Sequence, residues 1–339
     1  MNANQSFTPV EFPGMILRPA QITDSPHIYD LLRAIAAADG SITTVSLQDI
    51  KNLFNDSWSN PQVDSLLALA LEGKIAGLAW VLLDHTYTQQ VANLTWSNLH
   101  AEIWCNVHPA SQDDYPGLDV FLLQWANERA AIRLYDVPHS NLQRFLLTNS
   151  WEDQVDKIIM LEGHGYKPVR YFARMYRDLG QSIPDEPLPA GLRLCTFSSE
   201  LSEPLREAYN EVFKNDWNYQ YASPQDWQRA YIGRLDFFPE LTFLAMDGDR
   251  IAGFSINHVH QTPDSKREGY ITYIGTLPEW RGRCVASALL CASLRAFQSQ
   301  GLAYAALGVD TDNPNEAFGL YIRLGFTVNR RLVQYAKPV

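Results

Sequence analysis

Two kinds of hydrophobic spacing alternate along the second half of the chain. Short apolar runs such as Tyr270-Ile271-Thr272-Tyr273-Ile274 suit strands, whereas Leu289, Leu290, Ala292, Leu294 and Phe297 recur at helical spacing and mark one helix face. The pattern predicts strands over 192–197, 241–246, 251–260, 268–276, 304–309 and 330–337, with helices over 203–213, 224–234, 286–300 and 315–324. Strands mixed with helices in this way give an α/β (α+β) architecture, a central mixed sheet with helices on both faces.

The first half repeats the arrangement. Met15-Ile16-Leu17-Arg18-Pro19-Ala20 and Leu192-Arg193-Leu194-Cys195-Thr196-Phe197 each open a half with a strand. Lys74-Ile75-Ala76-Gly77-Leu78-Ala79 matches Arg250-Ile251-Ala252-Gly253-Phe254-Ser255, each the turn and strand of a hairpin. Gly165-Tyr166 followed by Tyr171-Phe172-Ala173-Arg174-Met175 echoes Gly325-Phe326 followed by Leu332-Val333-Gln334-Tyr335-Ala336. Between the halves, residues 181–191 are polar and rich in proline, which suits an extended linker. The expected organisation is a domain over 1–180, a linker over 181–191 and a second, similar domain over 192–339.

The strand 268–276 leads through Pro278-Glu279-Trp280-Arg281-Gly282-Arg283-Cys284-Val285-Ala286-Ser287 into a helix. A turn that feeds a helix N-terminus points several backbone N–H groups at one spot, where the helix carries partial positive charge. Arg281 and Arg283 add full charges, so the segment is a candidate socket for a pyrophosphate. Further on, Val309-Asp310-Thr311-Asp312-Asn313-Pro314 opens the helix that carries Tyr321 and stops at Gly325. Asp312 or Asn313 is a suitable cap, Pro314 a suitable first residue and Gly325 a suitable left-handed stop.

These two segments, in this order, resemble the acetyl-coenzyme A signature and closing motif of the GCN5-related N-acetyltransferases, the GNAT superfamily. Arg281, Cys284 and Ala286 fall on the three fixed places of the signature. Cys284 departs from it, because glycine is usual there; a Cβ at positive φ costs roughly 1 kcal/mol. The tandem arrangement resembles that of mycothiol synthase-like proteins. The resemblance implies acetyl-coenzyme A as co-substrate and direct transfer to an amine in a ternary complex. It implies binding by the turn residues 281–287 and by Asn313, and places the pantetheine arm against Ile274, Gly275 and Thr276. It implies Tyr321 as the general acid and requires no metal. For the general base, Glu268 at the start of a strand is the first choice. His258 and His260 share a strand face but precede a polar loop, which suggests exposed surface histidines, and a water chain is a further alternative. A noncatalytic acyl-coenzyme A binder and an aminoacyl ligase stay open as other readings.

Composition narrows the partners. The formal net charge is −11, which disfavours a nucleic acid or an anionic membrane surface. No apolar run is long enough to span a bilayer, and residues 1–13 lack a basic segment followed by an apolar one, so a cytoplasmic protein is expected. The four cysteines have no Cys-x-x-Cys spacing, which suits reduced thiols. The expected partner is a small-molecule amine, with the chain a monomer or homodimer. Asp216, Trp217, Tyr219, Tyr221 and Trp227 are candidates for the wall of the acceptor site. In the first half, Asp113 and Asp114 stand where the basic turn should be and Leu161 where the tyrosine should be. That half is expected not to bind coenzyme A.

Overall fold

The structure is a computed structural model and describes residues 10–40, 45–55, 59–83, 98–137, 143–216, 219, 221–234, 237–261, 267–312 and 317–339. The chain divides into two compact units. One comprises Met1–Val169 together with Val333–Val339, the other Arg170–Leu332. The cuts therefore fall elsewhere than at 180 and 192, and the expected linker 181–191 lies inside the second unit. The two final strands of the halves have changed places: 170–178 belongs to the second unit and 333–339 to the first.

In the first unit, strands β1 (Met15–Arg18), β2 (Ser65–Ala70), β3 (Ile75–Leu82) and β4 (Asn98–Val107) pair antiparallel in order, and β5 (Gln143–Trp151) runs parallel to β4. Alternation along β3 separates two cores. Ala79 and Val81 join the cluster that includes Leu122, Leu123 and Ala126 of the helix Leu118–Tyr135, whereas Leu78, Trp80 and Leu82 face Ile28 and Leu31 of the helix Ser25–Ala38. Trp80 and Trp125 are buried in these cores, and Val333 and Tyr335 complete the first of them.

In the second unit, the strand order is β6 (Lys167–Asp178, from Arg170 on), β11 (Tyr304–Asp310), β10 (Arg267–Thr276), β9 (Arg250–Gln261), β8 (Phe243–Asp247), β7 (Arg193–Thr196). Only β10 and β11 run parallel; the other neighbouring pairs are antiparallel. The helix Val285–Ser299 packs on one face. A Cβ on Gly253 would stand 2.9 Å from Val285 Cγ1 and 2.9 Å from the Gly275 carbonyl, so only glycine lets helix and strand come this close. The helix Ser202–Phe213 covers the other face, where Tyr209 and Phe213 meet Tyr273 edge to face. Pro224–Trp227 is one α-helical turn, and residues 228–232 then wind as a π-helix, closed by the Gly233 N–H donating to the Gln228 carbonyl at 2.8 Å. The sheet is thus mixed and covered on both faces, as expected.

The strand β6 does more than extend the sheet. Arg177, 2% exposed, donates from Nε to the Leu324 carbonyl at 2.6 Å and from a terminal nitrogen to the Ser182 carbonyl at 2.8 Å. It thereby satisfies a carbonyl at the end of the helix Ala317–Arg323, which would otherwise lack a partner. Arg170 pairs with Asp310 at 2.8 Å and Arg174 with Glu268 at 2.6 Å.

Candidate active site

One cleft of about 570 Å³ runs through the second unit. It is lined by 271–276 of β10, by Arg281, Gly282 and Cys284–Ser287 of the turn and helix start, and by Gly308–Asp310 of β11. Ala317, Leu320, Tyr321 and Arg323 close it from the short helix, and Val212, Phe213 and Asp216 from the end of Ser202–Phe213.

Its floor exists because two parallel strands part. β10 and β11 pair from Glu268/Tyr304 to Ile271/Leu307 and no further. Beyond that point each strand keeps its antiparallel neighbour, while the edges facing each other lose their partners and line the cleft. On its other side β10 carries a bulge between Ile271 and Tyr273, with Ile271 opposite Asn257 and Tyr273 opposite Ile256. Thr272 is the extra residue.

At one end stands the turn. Gly282 has φ +71°, and Cys284 has φ +61° and ψ +18°, the only positive-φ residue other than glycine among the described residues. The left-handed conformation that the signature requires is therefore kept, with a Cβ at the place where glycine is usual. Cys284 is the N-cap of Val285–Ser299 and gives no side-chain cap, so the first N–H groups of this 15-residue helix have no acceptor in the helix itself. Arg281 Nε donates to the Thr276 carbonyl at 3.1 Å, which fixes its stem at the rim, and both Arg281 and Arg283 are exposed. The Thr276 hydroxyl is buried and makes no hydrogen bond. Unpaired helix N–H groups, two guanidinium groups and an orphan hydroxyl at one rim suit a diphosphate and the amide-bearing arm attached to it.

At the other end is Tyr321, 6% exposed, with the Phe326 ring packed edge-on at 6.0 Å. Burial pushes its pKa well above that of an ordinary tyrosine, so the hydroxyl keeps its proton at neutral pH.

Other expected residues fall differently. Asn313 lies outside the described residues. Ile274, Gly275 and Thr276 all line the cleft, and a Cβ on Gly275 would meet Phe254 and Val212 at 2.8 Å. Glu268 is 2% exposed, accepts from Arg174 at 2.6 Å and is not part of the cleft lining. Burial raises its pKa, and Arg174 opposes that rise. His258 and His260, expected at the surface, are enclosed instead: His258 is 3% exposed and the side chain of His260 9%. Packing on the sheet face overrides the polar loop that follows them. Of the expected acceptor wall, Asp216 lines the cleft, whereas Trp227 and Tyr219 are buried, Tyr219 donating to Asn210 at 2.8 Å. Tyr221 is exposed under the Arg206 guanidinium, and Trp217 lies outside the described residues. Thr272, Phe213 and Arg323 were not singled out from the sequence. Thr272 had no signal there, because a bulge leaves none; Arg323 was legible as a cation two residues after Tyr321.

Residues 203–326 match the acetyltransferase (GNAT) family, and this part of the chain belongs to it. N-alpha-acetyltransferase 30 of Schizosaccharomyces pombe is 34% identical over 98 residues, 29% of this chain and 65% of that protein. The mycothiol acetyltransferase of Catenulispora acidiphila is 30% identical over 177 residues, and that of Streptomyces bingchenggensis 32% over 176. Each match takes in 50% of this chain, and 55% and 56% of the respective relatives, so the chain spans little more than half the length of these proteins. Among solved structures, a GCN5-related N-acetyltransferase from Sphaerobacter thermophilus superposes with a TM-score of 0.71 at 25% identity, covering 97% of both chains. A tandem GNAT protein from the clavulanic acid biosynthesis pathway does so with 0.67 at 16% identity, covering 96% of this chain and 98% of that one, which shows that the whole chain has the tandem fold. No described helix is long and apolar enough to cross a membrane, and no described group of three or more His, Cys, Asp or Glu side chains is placed to hold a metal ion.

Proposed function

We propose that the protein is an acyltransferase that moves an acetyl group from acetyl-coenzyme A to the amine of a small acceptor, by direct transfer with both substrates bound. The observation that carries this reading is the single cleft that joins the left-handed basic turn at one end to a protonated, buried tyrosine at the other. The turn N–H groups with Arg281 and Arg283 would hold the diphosphate. The parted edge of β10 at Ile274, Gly275 and Thr276 would hold the arm, and the donor supplies the reactive thioester. Most of the acceleration then comes from holding two reactants in register. Tyr321 serves as the proton donor to the leaving sulfur, since its hydroxyl is neutral throughout the physiological range. Glu268 is held by Arg174 away from the lining, so it does not reach a bound amine directly.

The family assignment of residues 203–326 and the likeness to mycothiol acetyltransferases support the donor and the reaction class. A cysteinyl-type amine acceptor is one member of the acceptor class that this likeness suggests. Isothermal titration of the full chain with acetyl-coenzyme A should show micromolar binding, and free thiol should appear when primary amines are added. Absence of binding at millimolar donor overturns the reading.

A further inference from the structure

The cleft has a polar exit on the face opposite Val285–Ser299. Thr272, the bulge residue of β10, lines the cleft where β10 and β11 part, close in sequence to the last paired residue, Ile271. Its Oγ1 lies 2.6 Å from Nδ1 of His258 on β9. His258 is 3% exposed, so Thr272 is its route to the cleft rather than open solvent. Behind it the His260 ring stands 6.4 Å away, and Nδ1 of His260 is 3.9 Å from Glu268 Oε1. Glu268 in turn is paired with Arg174. The bulge matters here: without the extra residue, the register would place Thr272 opposite Ile256.

We propose that Thr272 and His258 form the proton exit for the acceptor amine, a deepening that rests on the acetyl-transfer reading above. The acceptor enters as an ammonium ion and must lose a proton to react. Its N–H bond breaks as Thr272 Oγ1 takes that proton, while the hydroxyl proton of Thr272 passes to His258 Nδ1. His258 starts neutral, with its proton on Nε2, and ends as imidazolium. Thr272 is the residue that touches the amine; His258 acts through it as a positioning and relay residue. The carboxylate of Glu268, beyond His260, favours positive charge on the histidine pair, which gives this residue a place in the reaction without contact with substrate. The groups that face His258 are Thr272 and Tyr270 on β10, His260 on its own strand and Phe237, whose segment also carries Arg234. Arg174 and Tyr176 of β6 and Glu268 form the next layer.

The test uses the full chain, acetyl-coenzyme A and primary amines of graded basicity from glycine ethyl ester to ethylamine, with thiol release followed across pH. His258→Asn keeps an acceptor for Thr272 but removes the basic nitrogen. It should lower kcat about 100-fold or more at neutral pH and make the pH profile follow the amine's own ionisation. Thr272→Val, nearly isosteric, should fall as far, and Thr272→Ser should keep most of the rate. Donor affinity by titration should change less than twofold in all three. A second measurement needs no acceptor: nitrogen-15 spectra of the histidine rings should show His258 in the Nε2–H form, perturbed by Thr272→Val. An unchanged pH profile in His258→Asn, full activity in Thr272→Val, or a resting ring protonated on Nδ1 overturns the relay. If no amine reacts, the ring spectrum decides alone. Failure of the acetyl-transfer reading shows separately, as no donor binding to the wild-type protein, and removes the relay with it.

Discussion

The two units carry the same backbone devices and different side chains. The helix Leu118–Tyr135 starts at Gly117 with φ +84°, as Val285–Ser299 starts at Cys284 with φ +61°. The glycine that ends the shorter helix has φ +84° at Gly165 and +85° at Gly325. A Cβ on Gly77 would stand 2.7 Å from Leu122, in the place where Gly253 admits Val285. The chemistry has not been kept alongside. Exposed Asp113 and Asp114 replace the arginines, and Leu161, 1% exposed, fills the core position of Tyr321 without a hydroxyl. Parallel pairing in the first unit continues to Glu102/Leu147, and beyond it the Thr148 hydroxyl donates to the Ile103 carbonyl at 3.0 Å, so a side chain fills the place where the second unit has Gly308. Packing constraints and ligand constraints are thus separable: the first set defines the fold in both units, the second survives in one.

The comparison is open to attack in order of expected effect. Tyr321→Phe removes only the hydroxyl that Leu161 lacks. Turnover should drop about 100-fold with donor affinity within twofold, and steady-state kinetics beside titration would separate the two; an unaltered rate removes the proton-donor role. With its pKa raised by burial, Tyr321 should also cause no loss of turnover as pH rises from 7 to about 9.5, below even an unperturbed tyrosine's value. Gly77→Val and Gly253→Val should each destabilise by about 2–3 kcal/mol in denaturant titrations, because both wedge a helix off its strand. If only one does, the glycines are not equivalent. Titration of the full chain should give one acetyl-coenzyme A per chain, and Arg281→Glu with Arg283→Glu should weaken it at least tenfold without uncovering a second site. Two equivalent sites would mean that the acidic turn still binds. The smallest effect is that of Cys284→Gly, which restores in the second unit what Gly117 provides in the first. It should stabilise by about 0.5–1 kcal/mol through relief at positive φ.

Much of this was legible in the sequence, and the limits are instructive. The strands and helices of the second half lie within a few residues of their predicted bounds, since period and caps are local signals. The left-handed turn at Cys284 and the burial of Tyr321 beside the cleft also follow from local pattern. Three things did not. Residues 171–175 and 332–336 have the same alternation, so nothing in either says which sheet it joins, and they are exchanged. Glu268 looked like a base because its partner, Arg174, is remote in sequence and belongs to an exchanged strand. His258 looked exposed because the loop after it is polar, and a bulge that moves Thr272 into its reach has no composition of its own.

The exchange of final strands has a consequence for biogenesis. Most multidomain chains fold from the N-terminus as they leave the ribosome. Here the first unit is missing Val333 and Tyr335 from its interior until the rest of the polypeptide has been made. An incomplete nascent chain holds an unfinished apolar layer and a bare sheet margin throughout synthesis, so this protein is a natural client for chaperones that shield such surfaces until translation ends.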